Sequence, residues 1–157
     1  MSGAAPGGRA SVSCVGTVDV ALSRQATFPI FTPEGERLWI PRWAPTYPEG
    51  GTPEPRGGLA FQTEKEGATA TWLVTRWEPE ARRAAYAYVL PVKWATTVEV
   101  EVRDLGTGRS RVEVTYHVTS LAPSADVDVA ALAEGYQARL AAWADTLAAV
   151  GSSAAHR

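Results

Sequence analysis

The chain is short of the residues that most often carry covalent or metal chemistry. Of its 157 residues one is cysteine, one methionine and two histidine. A lone Cys14 excludes an intrachain disulfide, and its position after small and β-branched residues reads as an inert strand thiol, not a nucleophile. His117 and His156 lie far from each other and from Cys14, so no zinc spacing exists and no metal is expected. There is no Gly-x-Ser-x-Gly elbow, no His-Glu-x-x-His pair and no Gly-rich phosphate loop, and therefore no expected cofactor. No run approaches the roughly 20 apolar residues of a membrane span. Residues 1–10 lack the apolar core of a secretion signal, which makes a cytoplasmic location the expectation. A block of Lys and Arg is missing as well, and with a formal net charge of -2 no nucleic-acid partner is expected.

What is there reads as one globular domain. A hydrophobic fraction of 45% with 20% charged residues is ordinary for a folded chain of this length, long enough for a single core. Residues 1–9 (Gly, Ala, Pro, Ser) read as a disordered tail, 10–150 as the domain and 151–157 as a second tail. In 11–22, Val12, Cys14, Val18, Val20 and Leu22 recur with period two, the signature of a strand. Ser23 is placed to cap a short helix ending near Phe31. Pro33, with Glu34 and Glu36 in a first turn, predicts a second short helix over 33–38. Seven of the eleven prolines fall between Pro29 and Pro55, so most of that stretch is connection, not ladder. A meander follows: 59–64, 69–77, 83–90, 97–103 and 109–120 read as strands separated by turn residues, Gly106-Thr107-Gly108 among them.

The second half is the clearest. Val98, Val100 and Val102 alternate with Glu99, Glu101 and Arg103, and Val112, Val114, Tyr116 and Val118 with Arg111, Glu113, Thr115 and His117. Each strand thus has one buried side, with the carboxylates and His117 on the wet one. A register with Glu101 opposite Arg111 and Val100 opposite Val112 is expected. From Asp126 to Val150, the residues Val129, Leu132, Tyr136, Leu140, Trp143, Leu147 and Val150 form one helical stripe, and Gly135 reads as a close approach to the sheet. The order implies an α+β fold in which a curved antiparallel sheet of about six or seven strands wraps a long C-terminal helix, with two short helices after the first strand.

Order and particular residues together resemble the SRPBCC superfamily, the helix-grip proteins that include START domains, birch-allergen-like proteins and polyketide cyclases. The resemblance is carried by Phe28-Pro-Ile-Phe31-Thr-Pro-Glu-Gly-Glu-Arg-Leu-Trp39, Trp43-Ala-Pro-Thr-Tyr47, Trp72-Leu-Val-Thr-Arg-Trp-Glu-Pro79, Val112-Glu-Val-Thr-Tyr116 and the helix of Trp143. It spans Val12 to Val150 and points to a small bacterial branch. Trp77-Glu78-Pro79 stands where many relatives place Tyr-Asp-Pro. The resemblance implies a ligand cavity between sheet and helix, closed by the two short helices.

Residues expected on that cavity are Val100, Val114 and Tyr116 from the hairpin and Tyr136 and Leu140 from the helix. Tyr86 and Tyr88 share an inward parity with Leu90. Trp72 is placed inward, with Arg76 on its face near the rim, and Trp39 and Trp43 over the entrance. Three functions follow. The first is binding of a hydrophobic small molecule such as a lipid, polyketide or aromatic metabolite, by a monomer or homodimer. The second is a cyclase, aromatase or dehydratase using the same cavity, for which no inward acid–base pair is evident. The third is a protein-interaction or stress-response module with a filled interior.

Overall fold

The computed structural model describes residues 7–155; the ends of both expected tails, 1–6 and 156–157, lie outside them. Strand β1 (Ser11–Val20) buries Val12, Cys14, Val18 and Val20 and turns Ser13, Val15, Thr17 and Asp19 outward, as its alternation dictates. It pairs with β6 (Arg109–Ser120). The remaining ladder is a run of hairpins through β5 (Trp94–Gly106), β4 (Arg83–Leu90), β3 (Ala68–Glu78) and β2 (Ala60–Lys65). All six strands form one curved antiparallel sheet.

The β5–β6 register differs from expectation. Val100 faces Val114 and Glu101 faces Glu113, two residues away from the Val112 and Arg111 pairing. The turn explains it. Only Thr107 and Gly108 lie in the loop, both left-handed (φ 55° and 72°), and a bulge between Asp104 and Gly106 takes up the slack. A slip of two leaves every side chain on its own face. The valines therefore remain buried, while Glu101 is neutralised on the outer face by Arg103 at 3.1 Å and Arg83 at 3.9 Å.

Helix α2 (Asp126–Ala155) lies across β1 and continues past the expected end at 150. Its stripe is the buried face: Val129, Tyr136, Leu140 and Leu147 are almost fully covered, and Leu132, Trp143 and Val150 are half-covered at its margins. The close approach belongs to a different glycine from the one expected. A Cβ on Gly16 would stand 2.2 Å from Leu140 Cδ1, whereas one on Gly135 would meet nothing within 4 Å. Gly135 is off the stripe and exposed. Gly135→Ala is therefore expected to raise stability by about 1 kcal/mol, the helix-propensity gain, and Gly16→Val to lower it. Chemical denaturation measures both, and a destabilised Gly135→Ala would contradict this packing.

Between β1 and β2 the chain is tied down by short turns. Ser23 Oγ accepts from the Ala26 N–H (3.1 Å) to cap the single-turn α1 (Arg24–Thr27), which runs into a 3-10 turn, Phe28–Phe31. The second expected helix is only a 3-10 turn, Gly35–Leu38. Its tightness has a local cause. Thr32 Oγ1 donates to the Pro29 carbonyl (2.6 Å) and accepts from the Gly35 N–H (3.1 Å). The backbone then folds so closely that a Cβ at Gly35 would fall 1.9 Å from that same carbonyl oxygen. Farther on, Thr46 bridges to Gln62 through two backbone hydrogen bonds (2.9 and 2.8 Å), so the Pro-rich connection is laid along β2.

Candidate functional site

The concave side of the sheet is paved with aromatics. Trp72 stacks on Tyr88 (centroids 4.2 Å apart) and on Phe61 (5.4 Å), and Trp43 meets Trp72 edge-on at 5.5 Å. Two indoles are anchored through their N–H groups: Trp72 donates to Thr63 Oγ1 (3.0 Å) and Trp43 to the Pro33 carbonyl (2.7 Å). Above this paving lies an open groove of ≈ 440 Å³ between the β2–β3 hairpin, the connection and α2. Trp43, Trp72, Tyr88, Tyr116 and Trp143 form its apolar wall, and Arg42, Lys65 and Arg139 with Glu64 and Glu66 its polar one. Beneath it, sharing Trp43, Trp72, Tyr116 and Trp143, is an inner chamber of only ≈ 50 Å³ bounded by Phe31, Phe61, Tyr86, Val98, Val100 and Val114. A shallower depression of ≈ 630 Å³ lies behind Trp39, against Leu22, Leu38 and Val150. It has neither the stacked aromatics nor the buried polar groups of the first.

The chamber holds one ionisable acid, Glu36. Its turn is fixed by the Glu36 N–H bonding to the Thr32 carbonyl (2.9 Å) and the Ile40 N–H bonding to the Glu36 carbonyl (2.9 Å). The carboxyl itself has no hydrogen-bond or ion-pair partner among the described residues, and burial alone pushes it up from its ordinary 4.5 to about 8. Its neighbour Glu34 is the contrast: burial pushes up there too, but Arg37 (2.8 and 3.2 Å) and the Tyr47 hydroxyl bond it and hold it below the usual range. Burial, then the nearby Glu36, raises the Tyr86 phenol, whose hydroxyl donates to the Phe31 carbonyl (3.2 Å). Burial also raises Tyr116, with smaller contributions from Tyr88 and Glu36, and its hydroxyl has no hydrogen-bond partner among the described residues. Tyr88 accepts from the Trp94 indole (3.1 Å).

Of the residues expected here, Trp43, Trp72, Tyr86, Tyr88, Val100, Val114 and Tyr116 converge on the chamber and groove. Tyr136 stands one step away, donating to the Val114 carbonyl (2.7 Å) over a small niche shared with Cys14 and Arg139. The Cys14 thiol is buried and pushed up by that burial, in keeping with an inert strand residue. Three residues are placed elsewhere. Arg76 is on the outer face, 3.4 Å from Glu78, because a bulge between Val74 and Arg76 reverses the strand's parity and brings Trp77 inward against Phe28. Leu140 is packed over Gly16 and lines neither chamber nor groove. Trp39 is buried beneath the chamber, donating to the Ile30 carbonyl at 2.6 Å. Glu36, Phe61 and Trp143 join the site. Glu36 had no spacing signal, since an acid in the first turn of a short helix ordinarily faces water.

No family model matches the chain, and no curated protein matches it in sequence. Solved structures do. The ZhuI aromatase/cyclase from Streptomyces sp. R1128 superposes with a TM-score of 0.63 at 15% identity, over 90% of this chain and 94% of that one. Norcoclaurine synthase from Thalictrum flavum, in complex with dopamine and hydroxybenzaldehyde, gives 0.63 at 13% identity, over 89% and 86%. XoxI from Bacillus cereus gives 0.66 at 15%, over 87% and 95%. The chain has the helix-grip fold of these structures, a curved antiparallel sheet around a long C-terminal helix. No helix among the described residues is long and apolar enough to cross a membrane, and none of their His, Cys, Asp and Glu side chains cluster to hold a metal.

Proposed function

We propose that the protein binds a flat, hydrophobic small molecule, an aromatic or polyketide-like compound, in the groove between sheet and α2. The observation that carries this reading is the stacked wall of Trp43, Trp72 and Tyr88 facing an open groove of ≈ 440 Å³, a size suited to two or three fused rings. Solved relatives of the fold include an aromatase/cyclase and a synthase holding two aromatic compounds, which supports the same ligand chemistry. The alternative of a cyclase, aromatase or dehydratase in this cavity is favoured by Glu36, an acid inside the chamber where the sequence offered none.

Equilibrium dialysis with 2-ethylnaphthalene tests the reading. The protein is expected to retain the probe, and Trp72→Ala to weaken it roughly tenfold through lost stacking and apolar contact. Equal retention by the variant would move the ligand out of this groove.

A further inference from the structure

Three of the chamber's polar side chains, Trp43, Trp72 and Tyr86, are satisfied by the protein. Tyr86 is engaged with the Phe31 carbonyl and the Trp43 indole with the Pro33 carbonyl. The Glu36 carboxyl, the Tyr116 hydroxyl and the Trp143 indole N–H are left on the same small space with no partner among the described residues, and Glu36 is the only carboxyl of the three. An acid in such a place is expensive, and nothing in the packing requires it: the turn that carries it is closed by backbone and Thr32 bonds alone. The chamber admits about the volume of one or two heavy atoms, while the groove above admits a ring system. The two share Ile40, Trp43, Trp72, Tyr116 and Trp143 as lining, so they adjoin across these side chains.

We propose that Glu36 is the polar recognition group of the cavity, donating a hydrogen bond to a carbonyl oxygen that projects into the chamber from an aromatic body lying in the groove. The ligand class is thereby narrowed to uncharged aryl ketones, aldehydes or esters. Tyr116 is the second donor available to the same oxygen. The inference rests on the binding reading above and sharpens it. A carbonyl held by such a donor is also polarised toward attack or loss of an α-proton, the chemistry a cyclase or dehydratase needs.

Donation requires that Glu36 hold its proton, as burial in the chamber makes it do at neutral pH. The other titratable groups facing it are Tyr86 from β4 and Tyr116 from β6, both raised and neutral across the range tested. Lys65, Glu64, Glu66, Arg42 and Arg139 stand farther out on the groove.

The test compares 2-acetylnaphthalene with 2-ethylnaphthalene, alike in shape but not in the carbonyl, by equilibrium dialysis at pH 6 and pH 9.5. The unaltered protein is expected to favour the ketone about tenfold or more at pH 6 and to lose most of that preference at pH 9.5. Glu36→Gln, which keeps an N–H donor, should retain the preference at both pH values. Glu36→Leu should bind both probes equally while still binding the hydrocarbon. Hydrocarbon binding with no ketone preference at pH 6, or a preference that survives Glu36→Leu, overturns the assignment of Glu36 alone. Failure to bind either probe overturns the groove as a hydrophobic site and this inference with it.

Discussion

Glu36→Gln is expected to stabilise the fold, and to do so increasingly as the pH rises. The carboxyl stands at about 8 in the folded chain against an ordinary 4.5. Between those values the folded protein keeps a proton that the unfolded chain has released, so each increase in pH favours unfolding. The stability associated with the neutral acid is complete below pH 4.5 and is lost as the pH passes through about 8. At roughly 1.4 kcal/mol per pH unit of difference the full penalty would be about 4–5 kcal/mol. The group is half-buried and water in the groove screens part of it, so about 2–3 kcal/mol at pH 9 is the expected reading. Near pH 5 the variant and the unaltered protein should be alike. Urea unfolding at pH 5, 7 and 9 decides the matter: parallel pH profiles for the two proteins would mean that Glu36 ionises normally. A pH-dependent gain of that kind would mark Glu36 as a residue whose cost to the fold is offset by binding or chemistry.

The second large effect is of opposite sign. Trp39 is 4% exposed, lies 5.1 Å from Phe31 and 5.2 Å from Trp143, and satisfies the Ile30 carbonyl. Trp39→Ala removes a large buried side chain, worth about 3–5 kcal/mol, and orphans a buried acceptor. For a chain of this size that lowers the thermal midpoint by roughly 10–15 °C. Circular dichroism melting checks it, and a shift of only a degree or two would show that the indole is not holding the turns in place. Trp39→Phe should recover much of the packing but not the hydrogen bond. The indole thus acts from below, holding the turn that carries Glu36, while Trp43 lies on the chamber itself.

The sheet and the long helix were legible because each buries one face, and a single period, two or 3.6, exposes that fact in the residues themselves. Where the prediction went astray, the cause was a local departure from period. The bulge after Val74 turned Arg76 out and Trp77 in, and the two-residue turn at Thr107-Gly108 moved the β5–β6 pairing by two. Neither has a sequence signal that parity alone can read. The inward tyrosines of β4 and the stripe of α2 followed directly from spacing. Glu36 did not, because an acid in the first turn of a short helix ordinarily faces water and favours the helix dipole. It took the contraction of that helix into a 3-10 turn, forced by Gly35 against Pro29, to bring its carboxyl under the aromatics.

The edge-to-face pairs Trp39–Trp143 at 5.2 Å and Trp43–Trp72 at 5.5 Å have an optical consequence. Indoles this close and this strongly inclined, at 81° and 79°, couple their excited states, so the far-ultraviolet dichroism should carry an exciton couplet in addition to the signal of the backbone. Three of these four rings border the groove or chamber. A guest that tilts one of them alters the couplet directly, which gives the cavity a built-in chromophoric gauge of occupancy that needs no label.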